Sequence, residues 1–308
     1  MNPLLSAEEQ AARDSARARA LELFGGVGAV SAEAVAEVVA GVVGNDDVAA
    51  TLLLALVVEE TARVDASAGA AVANAATAAL LLQHTGSSTT GLAAVVAGDS
   101  VEGVSEPAAA VMLADAYVVL ADNAVWLAEA ADGSPVDLDG LRNAAMGTVL
   151  PGAVTRIGGA DEYERGRGLM LLQQAAVAVG LCAAAQDVAL AAIAAGKAAG
   201  ERPDRSQAVQ WGLADIVTDG EAARVAVWHA ACDEATDNAA AMALVLAADG
   251  AVASARRAAQ IGGIDGLGAD SAASRLQRDS KLMELLGGGT EAHLVIIADA
   301  LLPDVPRA

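Results

Sequence analysis

The sequence predicts a mostly α-helical protein with a small β insert, in the order helices, short strands, helical bundle. Three observations carry this. Hydrophobic residues make up 55% of the chain but aromatics only 2%, so the apolar content is mostly Ala, Val and Leu. Ala and Leu favour helix, and Ala-rich faces let helices approach closely, although an alanine-rich coding bias produces the same composition. Apolar residues recur at helical spacing in both halves, and from 99 to about 155 they give way to short apolar runs between turn residues. The units so defined are a helical domain over 1–98, a reduced β domain over 99–158 and a bundle of the four-helix type over 159–308.

Along the chain, Ser6 is a candidate N-cap with Glu8 and Glu9 in the first turn, and the helix closes at Phe24 before Gly25-Gly26. Ser31 opens a second helix with Val35, Val38 and Val39 on one face. Asp46 or Asp47 opens a third, in which Leu52, Leu53, Leu56 and Val57 share a face while Glu59, Glu60 and Arg63 lie opposite. Residues 66–84 read as a helix buried on most sides. Ala116–Ala121 and 125–129 are candidate strands joined at Asp122-Asn123, while Gly133-Ser134-Pro135 and Pro151-Gly152 act as breakers. Helical segments follow near 162–199, 204–235, 237–261 and 270–302.

Charge and cysteine use narrow the function. The net charge is −22, from 40 acidic and 18 basic residues. Such a field repels phosphate backbones and anionic membrane surfaces, so no nucleic-acid or membrane partner is expected. Cys182 and Cys232 sit in apolar helical stretches and are expected to be buried thiols of a reducing, cytoplasmic compartment. Residues 1–20 have no apolar core of the signal-peptide kind, and no uninterrupted run reaches ~18 apolar residues, so no membrane span is expected. His84, His229 and His293 lack metal-ligand spacing, so no metal is expected.

Seven strings carry more. They are Glu8-Glu9-Gln10 with Arg13-Asp14; Glu59-Glu60-Thr61-Ala62-Arg63-Val64-Asp65-Ala66-Ser67; Ser105-Glu106-Pro107; Gln207-Ala208-Val209-Gln210-Trp211-Gly212-Leu213-Ala214-Asp215; Gln260-Ile261-Gly262-Gly263; Arg278-Asp279-Ser280-Lys281; and Gly288-Gly289-Thr290-Glu291 with Ile296-Ile297-Ala298. In this order they resemble the FAD-dependent acyl-CoA dehydrogenases over the whole chain, most weakly in 99–155, where the insert is short and Trp126 is a poor match to the family's flavin strand. The resemblance implies that family's fold and α,β-dehydrogenation of an acyl-CoA thioester. That chemistry needs a desolvated carboxylate to take the α proton, while the cofactor carries the hydride.

The family keeps its glutamate in one of two places. Counted without gaps, one falls on Gly287, nine residues after Arg278, and the other on Met170, ten before Gly180. Neither can accept a proton. The nearest alternative base is Glu164, which on a regular helix lies about 9 Å and 240° from Met170; its other reading is a solvated acid in the first turn of a helix, and Glu162 is weaker still. For the cofactor, the resemblance assigns Ser105, Lys197, Gln207, Gln260, Gly262, Gly263, Thr290 and Glu291. Lys197-Ala198-Ala199-Gly200 replaces an Arg-x-Phe-Gly motif that reaches a neighbouring subunit's FAD, so the planar fork and the aromatic contact are both lost. The other reading of Gly262-Gly263 is the end of a helix. The expectation is a subunit without the base, sharing FAD with a related subunit in an α2β2 hetero-oligomer that acts on an acyl-CoA, as family members do on bulky or steroid side-chain thioesters. The alternatives are a self-sufficient dehydrogenase using Glu164 or an unrecognised acid, and a non-enzymatic protein of the same fold.

Overall fold

A computed structural model describes residues 5–26, 29–42, 48–128, 131–233 and 236–302. The first four helices are α1 (Ala7–Phe24), α2 (Ala32–Val42), α3 (Val48–Val64) and α4 (Ala66–His84). Ser6 caps α1 through a reciprocal box: its Oγ accepts from Glu9 N, and Glu9 Oε2 accepts from Ser6 N. Ser31 Oγ accepts from Ala34 N and starts α2. The expected Asp46 or Asp47 cap of α3 lies outside the described residues. Asp65 alone separates α3 from α4 and caps the latter, accepting from Ala68 N at 2.9 Å.

The acids of α3 do not face solvent. Glu59 and Glu60 are 1% and 2% exposed. Arg13 reaches both, at 2.9 and 2.6 Å, and Arg224 reaches Glu59 at 2.9 Å. Burial pushes the Glu59 carboxyl up, and the guanidinium groups of Arg224 and Arg13 pull it back. Arg63 makes a two-pronged bond to Asp187 at 2.7 and 2.8 Å.

Six strands follow: β1 (Ala93–Ala97), β2 (Ala116–Ala121), β3 (Ala124–Ala128), β4 (Ala131–Pro135), β5 (Gly147–Pro151) and β6 (Val154–Gly158). One sheet has the order β1-β2-β3-β6, with β1 parallel to β2 and the rest antiparallel; β4 and β5 form a second, two-stranded sheet. The β2–β3 turn is the expected one, and Asp122 and Asn123 both have φ of 52°, the left-handed backbone that tight hairpins need. Two expectations are corrected. Ala93–Ala97 was read with the helices and is a strand, its backbone satisfied by β2. Gly133-Ser134-Pro135 was read as a breaker and is strand β4, with Pro135 at its end.

The bundle contains α5 (Ala160–Ala198), α6 (Gln207–Cys232), α7 (Asp237–Ile261), the single turn α8 (Gly263–Gly266), α9 (Ala272–Leu285) and α10 (Gly289–Leu301). α5 is the spine, about 58 Å long at 1.5 Å per residue. It crosses α3 at Gly180, where a Cβ would stand 2.5 Å from the Glu59 carbonyl oxygen, so only glycine permits this approach. The expected single helix over 270–302 is two helices. Gly287, Gly288 and Gly289 have φ of 68°, 91° and 80°, and this left-handed run turns the chain sharply.

Two further expectations change. Cys182 is buried and its thiol is pushed up to about 12, mainly by burial, but Cys232 is exposed. Among the described residues three helices, Ala66–His84, Ala160–Ala198 and Asp237–Ile261, are long and apolar enough to cross a membrane by length and composition. Scattered polar residues hid them from a search for uninterrupted runs. Their apolar windows are 78%, 61% and 61% buried within the protein.

Candidate active-site pocket

α4, α5, β1, the 106–109 segment and the α9–α10 corner line a pocket that opens to solvent. α4 contributes Ala70, Ala73, Asn74 and Thr77, the i, i+3, i+4, i+7 face of a helix. α5 contributes Met170, Gln173, Gln174 and Val177 with the same spacing. Asn74 locks α4 to the sheet, donating to Val95 O at 2.8 Å and accepting from Val95 N at 2.7 Å.

Met170 and Gly287, the two positions counted for a glutamate, both line this pocket. Gly287 is also built against a side chain. Its φ is positive, and a Cβ there would stand 3.3 Å from Gln174 Oε1 and 3.4 Å from His293 Cε1.

The polar groups around Gly287 are neutral amides and an imidazole. Gln173 and His293 are 1% and 3% exposed. Gln173 Oε1 and Nε2, Gln174 Oε1 and both His293 ring nitrogens have no protein hydrogen-bond partner. Burial holds His293 below its ordinary value; the nearby Leu286 carbonyl opposes this but makes no hydrogen bond of normal geometry. Neighbouring Thr77 is satisfied, donating to Ala73 O at 2.8 Å. Among the described lining residues Glu106 is the one carboxylate. Partial burial, then Asp99, raise its carboxyl, but the residue as a whole is exposed at the mouth. In the sequence Glu106 stands out only as part of a string, His293 only as a histidine without metal-ligand spacing, and Gln173 and Gln174 carry no motif. The available signal was the Gln pair, two amides inside an otherwise apolar helix face.

Glu164 does not join the pocket. It is exposed and lines a separate open groove with Arg167, Asp237 and Asp299. The helix is regular between 164 and 170, so the angular offset expected from the sequence stands. Glu162 is a capping residue: its Oε2 accepts from Gly159 N at 2.7 Å, and backbone N–H groups hold its carboxyl low.

The eight cofactor positions fall into three groups. Ser105 is buried and engaged, its Oγ accepting from Val149 N at 2.8 Å and donating to Glu106 O at 3.1 Å. Thr290 and Glu291 start α10 beside the glycine corner. Lys197, Gln207, Gln260, Gly262 and Gly263 gather at one end of the bundle, where α5 ends, α6 begins and α7 ends. Gly212 of α6 faces Ile261 of α7 there, and Lys197 lies 3.5 Å from Asp204. All five but the half-buried Gly262 are exposed.

The sequence signature of the acyl-CoA dehydrogenase C-terminal domain matches residues 169–302. The bundle belongs to the acyl-CoA dehydrogenase family. A curated protein similar to this chain is the 3-sulfinopropanoyl-CoA desulfinase of Paraburkholderia xenovorans (strain LB400), 34% identical over 131 residues, which are 42% of this chain and 34% of that protein. The aligned stretch spans 34–35% of the length of the curated relatives. The acyl-CoA dehydrogenase fold extends further than the aligned sequence. Butyryl-CoA dehydrogenase from Megasphaera elsdenii superposes with a TM-score of 0.80 at 20% identity, over 98% of this chain and 100% of that one. A variant of the Tcur3481–Tcur3483 steroid ACAD superposes with a TM-score of 0.73 at 17% identity, over 96% and 98%. The N-terminal helices and the sheet therefore share the acyl-CoA dehydrogenase fold.

Proposed function

We propose that this chain is the base-less subunit of a flavin-dependent acyl-CoA dehydrogenase complex that forms a double bond between the α and β carbons of an acyl-CoA. The observation that carries the reading is the meeting of Met170 and Gly287 in one pocket whose polar lining inside the mouth is the neutral Asn74, Thr77, Gln173 and Gln174. A base for this reaction must be a carboxylate desolvated inside the site, and Glu106 stands at the mouth instead.

FAD, when bound, supplies the hydride acceptor. The chain's own residues fit a contributing role. Ser105 Oγ and Trp126 Nε1 are spent on backbone partners, Trp126 donating to Ala121 O at 3.1 Å. Gln207, Gln260 and Gly263 are exposed at the bundle end, and around Gly263 nothing stands within 4 Å of a Cβ. That exposure supports their approach to a cofactor held by another subunit. Trp211, Ile264 and Leu267, 64%, 88% and 67% exposed, belong to the same end and supply apolar surface for that subunit. The partner is accordingly a related subunit that keeps its glutamate, in an α2β2 assembly. The likeness to the Tcur3481–Tcur3483 steroid ACAD supports a bulky, steroid-type acyl group.

Glu106 favours a second reading, a self-sufficient dehydrogenase in which this acid serves as base. The test is expression alone and together with a glutamate-bearing subunit, followed by native mass and visible spectrum. The base-less reading expects a colourless chain alone, and a yellow complex with one flavin per pair of unlike subunits. Flavin bound one per chain, with acyl-CoA turnover that Glu106→Gln abolishes, overturns it in favour of the second.

A further inference from the structure

The last helix is held to the bundle by a histidine. α10 is rich in apolar residues, yet Leu294, Val295 and Leu301 are exposed, and Ile296 and Ile297 pack on the core only in part. Gly289 and His293 are its two buried residues, so the one side chain of α10 wholly inside the protein is an imidazole, 3% exposed. The chain enters α10 through Gly287, Gly288 and Gly289, all in left-handed backbone. Three successive residues without Cβ make a soft joint, because they cross backbone space that side chains obstruct. That joint is also a wall of the pocket, which Met283, Leu286 and Gly287 line.

A neutral imidazole can occupy this place, but a charged one is poorly served there. Neither ring nitrogen has a protein hydrogen-bond partner, and the ring lies against the bare Cα of Gly287. A buried cation needs a carboxylate set against it. α5 carries no charge between Arg167 and Asp187, and α7 none between Asp237 and Asp249. On α9, Asp279 accepts from Leu141 N and Glu284 is paired with Lys281 at 2.8 Å, while Arg275 and Arg278 add positive charge. On α10 itself, Glu291 is exposed beside Gly289 and Asp299 lines the groove that holds Glu164. Glu106 stands at the pocket mouth. Burial holds His293 below its ordinary value and the Leu286 carbonyl opposes this, with no charged group among the causes.

We propose that His293 is an acid-sensitive latch: when its imidazole takes a proton, α10 leaves the bundle on the Gly287–Gly289 joint and opens the corner wall of the pocket. The linkage has one sign. Docked, the imidazole is held neutral; released, it protonates at its ordinary value of about 6.5. The docking of α10 is therefore at full strength above that value and weakens as pH falls below it. The latch belongs to this chain's own helix and does not depend on the partner-subunit reading.

The test is amide hydrogen exchange of the full chain at about pH 7.5 and about pH 5.5, corrected for the intrinsic rate, in the wild type and in His293→Gln. In the wild type, peptides over 286–301 are expected to exchange about tenfold faster at the lower pH, while those of α3 and α7 keep their protection. His293→Gln takes up no proton and is expected to hold the change under about twofold. If that variant fails to fold, His293→Leu carries the same expectation. An unchanged 286–301 segment overturns the proposal. So does an equal acid response in wild type and variant, which assigns the titration to another group such as Asp279 or Glu284. Loss of protection along the whole chain also overturns it, because the acid effect is then global unfolding.

Discussion

Two buried polar clusters border α5 within two turns of each other, and they are built on opposite principles. Around Gly180, Glu59 and Glu60 are charged groups met by Arg13 and Arg224, and Arg224 is also paired with Glu221. Around Gln173, the groups are neutral and have no protein partner. Charges removed from water are costly unless paired, so the first cluster has to be satisfied within the chain to exist at all. Neutral amides cost less to leave open, so the second can be held in reserve. Buried charge met by opposite charge is architecture, even though Glu60 Oε2 has only Arg17 at 3.9 Å, and unpaired buried amides that line a cavity are a site.

The comparison breaks most visibly at Glu59. Glu59→Ala removes the carboxylate that Arg13 and Arg224 share, leaving Arg13 to Glu60 and Arg224 to Glu221, and is expected to cost about 3 kcal/mol. A urea melt showing a loss near zero would mean that the arginines find water, and that the cluster is not architectural.

Asp279 gives the next effect. It is half-buried and pushed up to about 6, chiefly by desolvation, although its Oδ1 accepts from Leu141 N at 2.7 Å. The folded protein holds this proton more tightly than the unfolded chain does. Its contribution to stability is therefore fully present below about pH 4, falls as pH rises, and is gone above about pH 6. Asp279→Asn keeps the acceptor and removes the charge. It is expected to stabilise the protein at pH 7 by up to about 3 kcal/mol and to flatten the pH dependence of the melting temperature between 4 and 6.

Gln173→Leu should behave oppositely to Glu59→Ala. Removing orphaned amide atoms for an apolar group of similar size is expected to change stability by less than about 1 kcal/mol, in either direction. A loss above ~2 kcal/mol in the same melts would show the amide to be structural and would merge the two clusters into one class. The smallest effect belongs to Glu164→Gln, an exposed acid outside the pocket, expected to move stability by under ~0.5 kcal/mol. Loss of turnover in a reconstituted complex would return Glu164 to the chemistry.

Much of the local structure was legible because its causes are local. The Ser6–Glu9 cap and the Asp122-Asn123 hairpin turn each depend on residues a few positions apart, and each forms as its residue types require. The ordered motif strings pointed to the family, and ungapped counting brought Met170 and Gly287 to one pocket. Local signals failed where tertiary partners decide. Ala93–Ala97 is a strand because β2 pairs with it, although alanine prefers helix. The 270–302 segment has continuous helical spacing, but three consecutive left-handed glycines break it.

By itself, then, the sequence determined the mostly helical class, the caps and turns, the family resemblance and the lack of a glutamate at two counted positions. Only the tertiary structure decided that Glu59 and Glu60 are interior groups, that Glu164 stands in another groove, and that Gln174 and His293 meet at Gly287. The physical reason is reach. Capping and periodicity act within one or two turns of chain, whereas burial and pairing depend on which distant segments the fold brings against each other.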